Sequence, residues 1–187
     1  ANSIRLLIHQ FNGRLSGGFV MTYSMLASIV KYPYSSIAAN GAGKFGFFEA
    51  EEKDFKRIAN ELGMYCIQED PLKYARHPLV YLVEAADDIC YKIMDLEDAH
   101  KLGLLTTEQT IELFLNFFPE EKQKKMQKTL HVVSDINEQI AYLRSSVIGL
   151  LVDECSNVFL ENEQSIFDGK FEKPLIKCIS PLPNNAY

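Results

Sequence analysis

The stretch from Leu79 to Asp98 constrains the fold more than any other, because it combines a helical apolar repeat with a dense row of acids. Apolar residues recur there at spacings of three and four, which is the pattern of a helix with one face in a core. They are Leu79, Leu82, Ala86, Ile89, Ile93 and Leu96. The part from Glu84 to Asp98 also carries six carboxylates against one lysine, Lys92. We therefore expect a core-facing helix whose acidity serves something other than stability.

Three polar residues of this stretch share one ridge of the predicted helix. At about 100° per residue, Asp87 falls at the border of the apolar stripe, half in and half out of the core. Tyr91 and Asp95 follow it at i+4 and i+8. Because a half-buried carboxylate beside other acids is costly without a cation, and divalent metals prefer carboxylate oxygens, Asp87 is a candidate metal ligand.

The alternative is a solvated acidic helix face, which is common and needs no ligand. Asp88 and Lys92 have the i,i+4 spacing of a helical ion pair, and Glu97 and Asp98 fit ordinary solvated charge. This interpretation explains those acids well and Asp87 poorly. On the pattern alone, a metal ligand and a solvated helix face both remain possible for Asp87.

The rest of the chain predicts further helices separated by glycine-rich or proline-rich loops. The expected helices are a short one around Ile4 to Phe11 and longer ones over about 19–31, 49–62, 78–101, 106–117, 120–128 and 134–167. The one short strand candidate is Leu130 to Val133. We predict an all-α, multi-helix bundle in a single helical region over residues 1–187, with an irregular tail from about 172 to 187.

Composition excludes several classes of protein. The net charge of −6 argues against a general nucleic-acid or anionic-membrane surface. The four cysteines are scattered, so they indicate neither a zinc site nor a disulfide framework. No apolar run of about 18 residues and no signal-peptide pattern occurs, and we expect a soluble cytoplasmic protein. Since the chain enters a helical pattern at once and without methionine, we expect a fragment that lacks an N-terminal part.

Two familiar motifs are rejected on their spacing. The run from Asn40 to Lys44 resembles a phosphate loop, but Ala38 and Phe45 stand where a glycine and a hydroxyl residue are required. Lys44 alone remains a candidate anion contact. An isoprenoid-synthase DDxxD motif would need aspartate where Tyr91 stands.

Arg144 interrupts the apolar arc of the last helix, near Ile140, Leu143, Val147 and Leu151. A partly buried arginine needs a carboxylate or a phosphate, and we expect structural pairing with a carboxylate.

Several segments, in the same order along the chain, resemble the deoxyguanosinetriphosphate triphosphohydrolases, the dNTPase branch of the HD-domain phosphohydrolases. The segments are ANSIR at 1–5, TYSML through KYP at 22–33, KFGFF at 44–48, RHPLVYLVEAADDICYKIMDLEDA at 76–99, LRSSVI at 143–148, FLENE at 159–163 and GKF at 169–171. They cover most of the chain.

The resemblance implies a partial HD-domain-like bundle and a metal-dependent hydrolase in which a metal-activated water attacks the α-phosphorus of a dNTP, releasing the deoxynucleoside and triphosphate. By the family pattern Asp87 is the last of four metal ligands, Tyr91 packs on the deoxyribose and Asp95 reads its 3′-hydroxyl. Lys31, Tyr32 and Lys44 would face the triphosphate.

The family's histidine, His-Asp and catalytic His-Glu motifs would lie upstream of residue 1, so no catalytic residue is assigned within this chain. The metal could be Mg, Mn, Fe or Zn. The resemblance also implies a homo-oligomer that includes the missing N-terminal part and does not bind a membrane. The fragment alone is expected to be inactive. The alternative is a non-catalytic helical oligomerisation or regulatory module.

Overall fold

The computed structural model describes residues 2–10, 12–13, 18–39, 41 and 43–179, and within these residues the chain is mostly helical. The α-helices are α1 (Asn2–Ile8), α2 (Tyr23–Ser28), α3 (Glu52–Glu61), α4 (Pro78–Lys101), α5 (Thr107–Leu115), α6 (Glu120–Leu130), α7 (Ile136–Glu161) and α8 (Glu163–Phe167). Short 3-10 helices lie at Glu49–Glu51 and Leu175–Lys177. The predicted all-α class is confirmed, apart from one small sheet.

The sheet has two antiparallel strands, β1 (Cys66–Gln68) and β2 (Lys73–Tyr74), which the sequence reasoning missed. The strand candidate at Leu130 to Val133 is wrong, because Leu130 ends α6 and the backbone amides of residues 131 to 133 continue its hydrogen-bonded turns. Strands of two and three residues carry too few positions to show an alternating pattern.

Two of the predicted helices have different bounds in the structure. The helix expected from about Phe19 begins only at Tyr23, because Val20 has a positive φ of 55° and the Thr22 hydroxyl accepts the Met25 amide as an N-cap. The long last helix is interrupted at Asn162, where α7 gives way to α8. Phe11 of the first predicted helix and residues 180–187 of the predicted tail lie outside the described residues.

The chain divides into two compact units, the first made of residues 1–84 with 161–173 and the second of residues 85–160 with 174–187. The core of the first unit joins α1, α2 and α3 to β2. Phe55 lies at its centre, fully buried, stacked on Phe47 at 4.4 Å between ring centroids and edge-on to Tyr74 at 6.0 Å. This core supports the loop that carries residues 31–48.

In the second unit α7 supplies the longest apolar stripe. Its buried residues recur at spacings of three and four, as the sequence predicts: Ile140, Leu143, Val147, Leu151, Cys155 and Val158. Helix α5 begins with a capping box, in which the Thr106 side chain accepts the Gln109 amide and the Gln109 side chain accepts the Thr106 amide.

Helix α4 has the bounds that Pro78 and the Gly103 turn predict. Its buried face is only partly the predicted one, since Ile89 and Ile93 are buried as expected. Leu79, Leu82 and Ala86 are exposed, and the buried positions are Val80, Tyr81, Glu84, Ala85, Ile89, Ile93 and Glu97. Two glutamates of α4 are therefore buried, Glu84 in the first unit and Glu97 in the second.

Candidate functional site

The three predicted ridge residues lie on the outward face of α4, in the second unit. Asp87, Tyr91 and Asp95 are all exposed, with 71% of Tyr91 accessible. The prediction that Asp87 is half-buried is therefore wrong, although the i, i+4 and i+8 spacing does align the three along one side of the helix. Met94, 53% exposed, lies beside them on this side.

Within the part of the chain that the structure describes, none of these three side chains has a hydrogen bond or an ion pair. Their oxygens are thus available to a ligand or metal. However, the described residues contain no group of three or more histidine, cysteine, aspartate or glutamate side chains able to hold a metal. Asp87 can act as one metal ligand, but the residues described here do not by themselves make a metal site.

The neighbouring acids behave differently from Asp87. Asp88 is half-buried, and its charge adds to burial in raising the pKa of the Cys155 thiol. Asp98 is exposed, with its carboxylate 3.9 Å from the Lys101 ammonium. The solvated interpretation therefore fits Asp98 and fits Asp88 only in part.

For Glu97 the solvated interpretation is wrong. Glu97 is buried and binds two cations, Arg144 and, at 2.9 Å, Lys101. Hydrogen bonds from Lys101 and Arg144 hold the pKa of the Glu97 carboxyl below its ordinary value. The expected structural pairing of Arg144 with a carboxylate is confirmed.

The other three predicted residues come together in the first unit. The ammonium nitrogens of Lys31 and Lys44 each lie 5.9 Å from the centroid of the Tyr32 ring. Both lysines are exposed, and Tyr32 is partly buried. Two cations around one phenol form a group that can contact an anion with several charges. We call Lys31, Tyr32 and Lys44 the lysine–tyrosine cluster.

Backbone contacts explain why the distant Lys44 reaches Tyr32. The Gly46 amide donates to the Tyr34 carbonyl at 3.0 Å, and the Ser36 amide donates to the Phe47 carbonyl at 3.2 Å. A Cβ on Gly46 would collide with the Tyr32 carbonyl oxygen and the Val30 side chain, so only glycine fits this approach without a shift. A small cavity of about 110 Å³ borders Lys31, Tyr32 and Gly46.

Behind Lys31 lies a buried carboxylate that the sequence reasoning did not single out. Glu84 is 7% exposed. One of its carboxylate oxygens lies 2.5 Å from the Lys31 ammonium, and the other lies 2.5 Å from the Arg76 guanidinium. Burial by itself raises the pKa of Glu84, but the hydrogen bonds from Lys31 and Arg76 outweigh it and hold that pKa below its ordinary value. Arg76 in turn lies over the Tyr81 ring at 4.4 Å.

The six predicted site residues thus fall into two groups, three in each unit. The sequence offered one signal for Glu84, its place beside Ala85 between apolar residues, but the same description fits many solvated glutamates. None of the described helices is both long and apolar enough to cross a lipid bilayer.

No protein-family model matches the chain. Among curated proteins, it is 33% identical over 177 residues to a deoxyguanosinetriphosphate triphosphohydrolase-like protein of Pseudomonas aeruginosa, a match that covers 92% of this chain and 38% of that protein. A protein of the same name from Synechocystis sp. is 32% identical over 193 residues, with 95% and 41% covered. A deoxyguanosinetriphosphate triphosphohydrolase of Yersinia enterocolitica is 28% identical over 181 residues, with 86% and 34% covered.

The chain therefore spans about two fifths of the length of the curated relatives it matches. Within that span the match runs through nearly all of the chain, at similar identity in relatives from different bacteria. The family resemblance inferred from the sequence is confirmed: over most of its length this chain is similar to one part of the proteins named deoxyguanosinetriphosphate triphosphohydrolase or triphosphohydrolase-like.

Proposed function

We propose that this chain is part of a dNTP triphosphohydrolase, which hydrolyses a deoxynucleoside triphosphate to the deoxynucleoside and inorganic triphosphate. The observation that carries the proposal is the similarity over 92% of the chain to a protein with that name. In this reaction water adds to the α-phosphorus, and the bond from that phosphorus to the 5′-oxygen breaks.

The outward side of α4 would supply contacts to the metal and to the sugar. In this proposal Asp87 is a metal ligand, Tyr91 packs against the deoxyribose and Asp95 accepts a hydrogen bond from the sugar 3′-hydroxyl. Their exposure and their lack of partners within the described residues support these roles. Unpaired carboxylates on a surface that also carries apolar side chains suit a ligand with both a polar and an apolar side.

The lysine–tyrosine cluster would bind the triphosphate. A triphosphate carries several negative charges, which cations and hydroxyl donors neutralise. Lys31 and Lys44 supply two ammonium groups, each 5.9 Å from the centroid of the Tyr32 ring, and the Tyr32 hydroxyl can donate a hydrogen bond. Lys31 and Tyr32 are adjacent in the sequence, and the approach of the more distant Lys44 to the Tyr32 ring supports a common role.

The metal itself cannot be held by the described residues alone, since they contain no group of three candidate ligands. We propose that Asp87 joins ligands from a longer protein, and that the divalent ion is Mg, Mn, Fe or Zn. It follows that purified residues 1–187 release no triphosphate from dGTP. Release at rates comparable to those of a longer protein would contradict this. Self-association stays a prediction of the resemblance, and a cytoplasmic location stays a prediction from the composition.

The decisive test is Asp87→Ala in a longer protein that contains this chain. Loss of a metal ligand should reduce triphosphate release from dGTP at least about 100-fold, because even changes in residues that only support ligands cost 10–100-fold. Bound metal, measured by mass spectrometry, should fall in parallel, while circular dichroism stays unchanged.

Asp98→Ala is the matched control, since Asp98 is an exposed aspartate on the same helix with only a distant lysine contact. It should leave activity and metal content within about twofold of the unchanged protein, as expected for an exposed pair. Full activity of Asp87→Ala would remove Asp87 from the site and favour a non-catalytic helical module.

A further inference from the structure

Glu84 joins Lys31, a member of the lysine–tyrosine cluster, to Arg76, an arginine that is partly buried. The Glu84 side chain is 5% exposed, whereas that of Lys31 is 47% exposed. One carboxylate oxygen contacts the Lys31 ammonium, and the other contacts Arg76, whose side chain is 16% exposed. The contact therefore ties a surface cation to an interior anchor.

Arg76 is also held by a contact with the aromatic ring of Tyr81. The Arg76 guanidinium lies 4.4 Å from the centroid of the Tyr81 ring, and the Tyr81 hydroxyl donates to the Phe171 carbonyl. Tyr81 is itself buried, and its ring meets that of Phe171 edge-on at 5.5 Å. Because Arg76 is held on two sides, the Glu84 carboxylate has little freedom to move.

We infer that Glu84 is a positioning residue, which holds the Lys31 ammonium in place for the polyphosphate of the substrate. This inference rests on the proposed function, since it assigns the ligand of Lys31 from it. One carboxylate faces two cations, so the group keeps a net positive charge and Lys31 remains attractive to an anion.

The gain from this arrangement is preorganisation. A free lysine side chain loses rotamer entropy when an anion immobilises it, and prior restraint removes part of that loss. The entropic cost of immobilising one such side chain corresponds to roughly a threefold to tenfold change in affinity. Loss of the restraint should weaken polyphosphate binding by that factor.

The test uses inorganic tripolyphosphate, titrated by calorimetry into the purified chain of residues 1–187. Glu84→Asp keeps the charge but shortens the side chain by one methylene, so it cannot reach both Lys31 and Arg76. We expect it to bind tripolyphosphate roughly threefold to tenfold more weakly. In a Lys31→Gln background, the same change should have no further effect, because Glu84 acts through Lys31.

A spectroscopic measurement separates positioning from general damage and needs no substitution. In the unchanged chain with ¹³C-methylated lysines, NMR relaxation should show the Lys31 methyl groups to be more ordered than those of Lys44, which has no ion pair within the described residues. Glu84→Asp should abolish the difference. Equal order of the two lysines in the unchanged chain would overturn the inference even if the variant does not fold.

The outcomes also distinguish the inference from the proposed function. If the unchanged chain binds no tripolyphosphate, the proposed role of the cluster fails and the inference fails with it. If the chain binds tripolyphosphate and Lys31→Gln weakens it, but Glu84→Asp binds as tightly as the unchanged chain, Glu84 is only a negative charge and the inference alone is overturned.

Discussion

Replacing Arg144 with alanine tests whether the buried carboxylate of Glu97 depends on its partner across the second unit. The Glu97 side chain is 11% exposed, and that of Arg144 is 34% exposed. Removing one partner of a fully buried pair costs about 3–5 kcal/mol, and losing one hydrogen bond to a charged group costs about 1.5–3 kcal/mol. Because Arg144 is one third exposed and Lys101 remains bound to Glu97 at 2.9 Å, we expect about 1.5–3 kcal/mol.

Urea denaturation at pH 7 measures this loss directly. For a protein of this size a change of about 2 kcal/mol moves the unfolding midpoint by about 1 M urea. Lys125→Ala is the matched control, because the Lys125–Glu121 pair has side chains that are 75% and 85% exposed. It should cost less than about 0.5 kcal/mol.

The effect must also depend on pH. The pKa of Glu97 is lower in the folded chain than its ordinary value of 4.5, so its pairing stabilises the fold fully above that value and is lost as the pH falls through the folded pKa. The difference between the unchanged chain and Arg144→Ala should therefore shrink below about pH 4.5. A cost no larger than that of Lys125→Ala, or one unchanged in acid, would refute the argument.

Two further predictions concern the first unit. Phe55→Ala removes a fully buried ring stacked on Phe47 and should lower the free energy of unfolding by about 3–5 kcal/mol in urea denaturation; a loss below about 1 kcal/mol would contradict the packing. Gly46→Ala forces a Cβ against the Tyr32 carbonyl and should both destabilise the chain and weaken tripolyphosphate binding in calorimetry, whereas Gly43→Ala meets open space and should change neither. Equal behaviour of the two alanine variants would show that the approach of residue 46 to Tyr32 is unimportant.

The bounds of α4 could be predicted because its end signals are local. Pro78 begins the helix and Gly103, with φ of 70°, follows its last turn. The stripe of α7 could be predicted equally well, since its apolar spacing is regular over about five turns of helix. Signals of this kind need no knowledge of which other segment lies nearby.

The buried side of α4 could not be predicted, because distant partners decide it. Glu97 looks like a surface acid until Arg144, 47 residues away, is placed beside it. Glu84 likewise depends on Lys31, which lies in a separate segment. The apolar periodicity takes account of hydrophobic residues only, so it places both glutamates in solvent. In the structure each glutamate is paired with cations, which allows it to be buried.

The spacing of the three ridge residues could be predicted from the sequence, but their exposure could not. Asp87, Tyr91 and Asp95 align at helical intervals whichever way the helix faces, so the alignment followed from the sequence. They face outward because Ile89, Ile93 and Glu97 are buried on the opposite side of the helix. Their roles rest on the resemblance and await the Asp87→Ala experiment.

The two buried glutamates of α4 have a consequence for how the helix can turn about its own axis. Leucine and alanine appear on both sides of α4, so apolar packing alone would tolerate several rotational settings. A rotation by one residue would withdraw Glu84 from Arg76 in the first unit, or Glu97 from Arg144 in the second, although Lys101 would stay beside Glu97 because it lies on the same helix. Each carboxylate therefore fixes the rotational setting of α4 within its own unit, and in the second unit the contact of Glu97 with Arg144 sets the direction in which Asp87 faces.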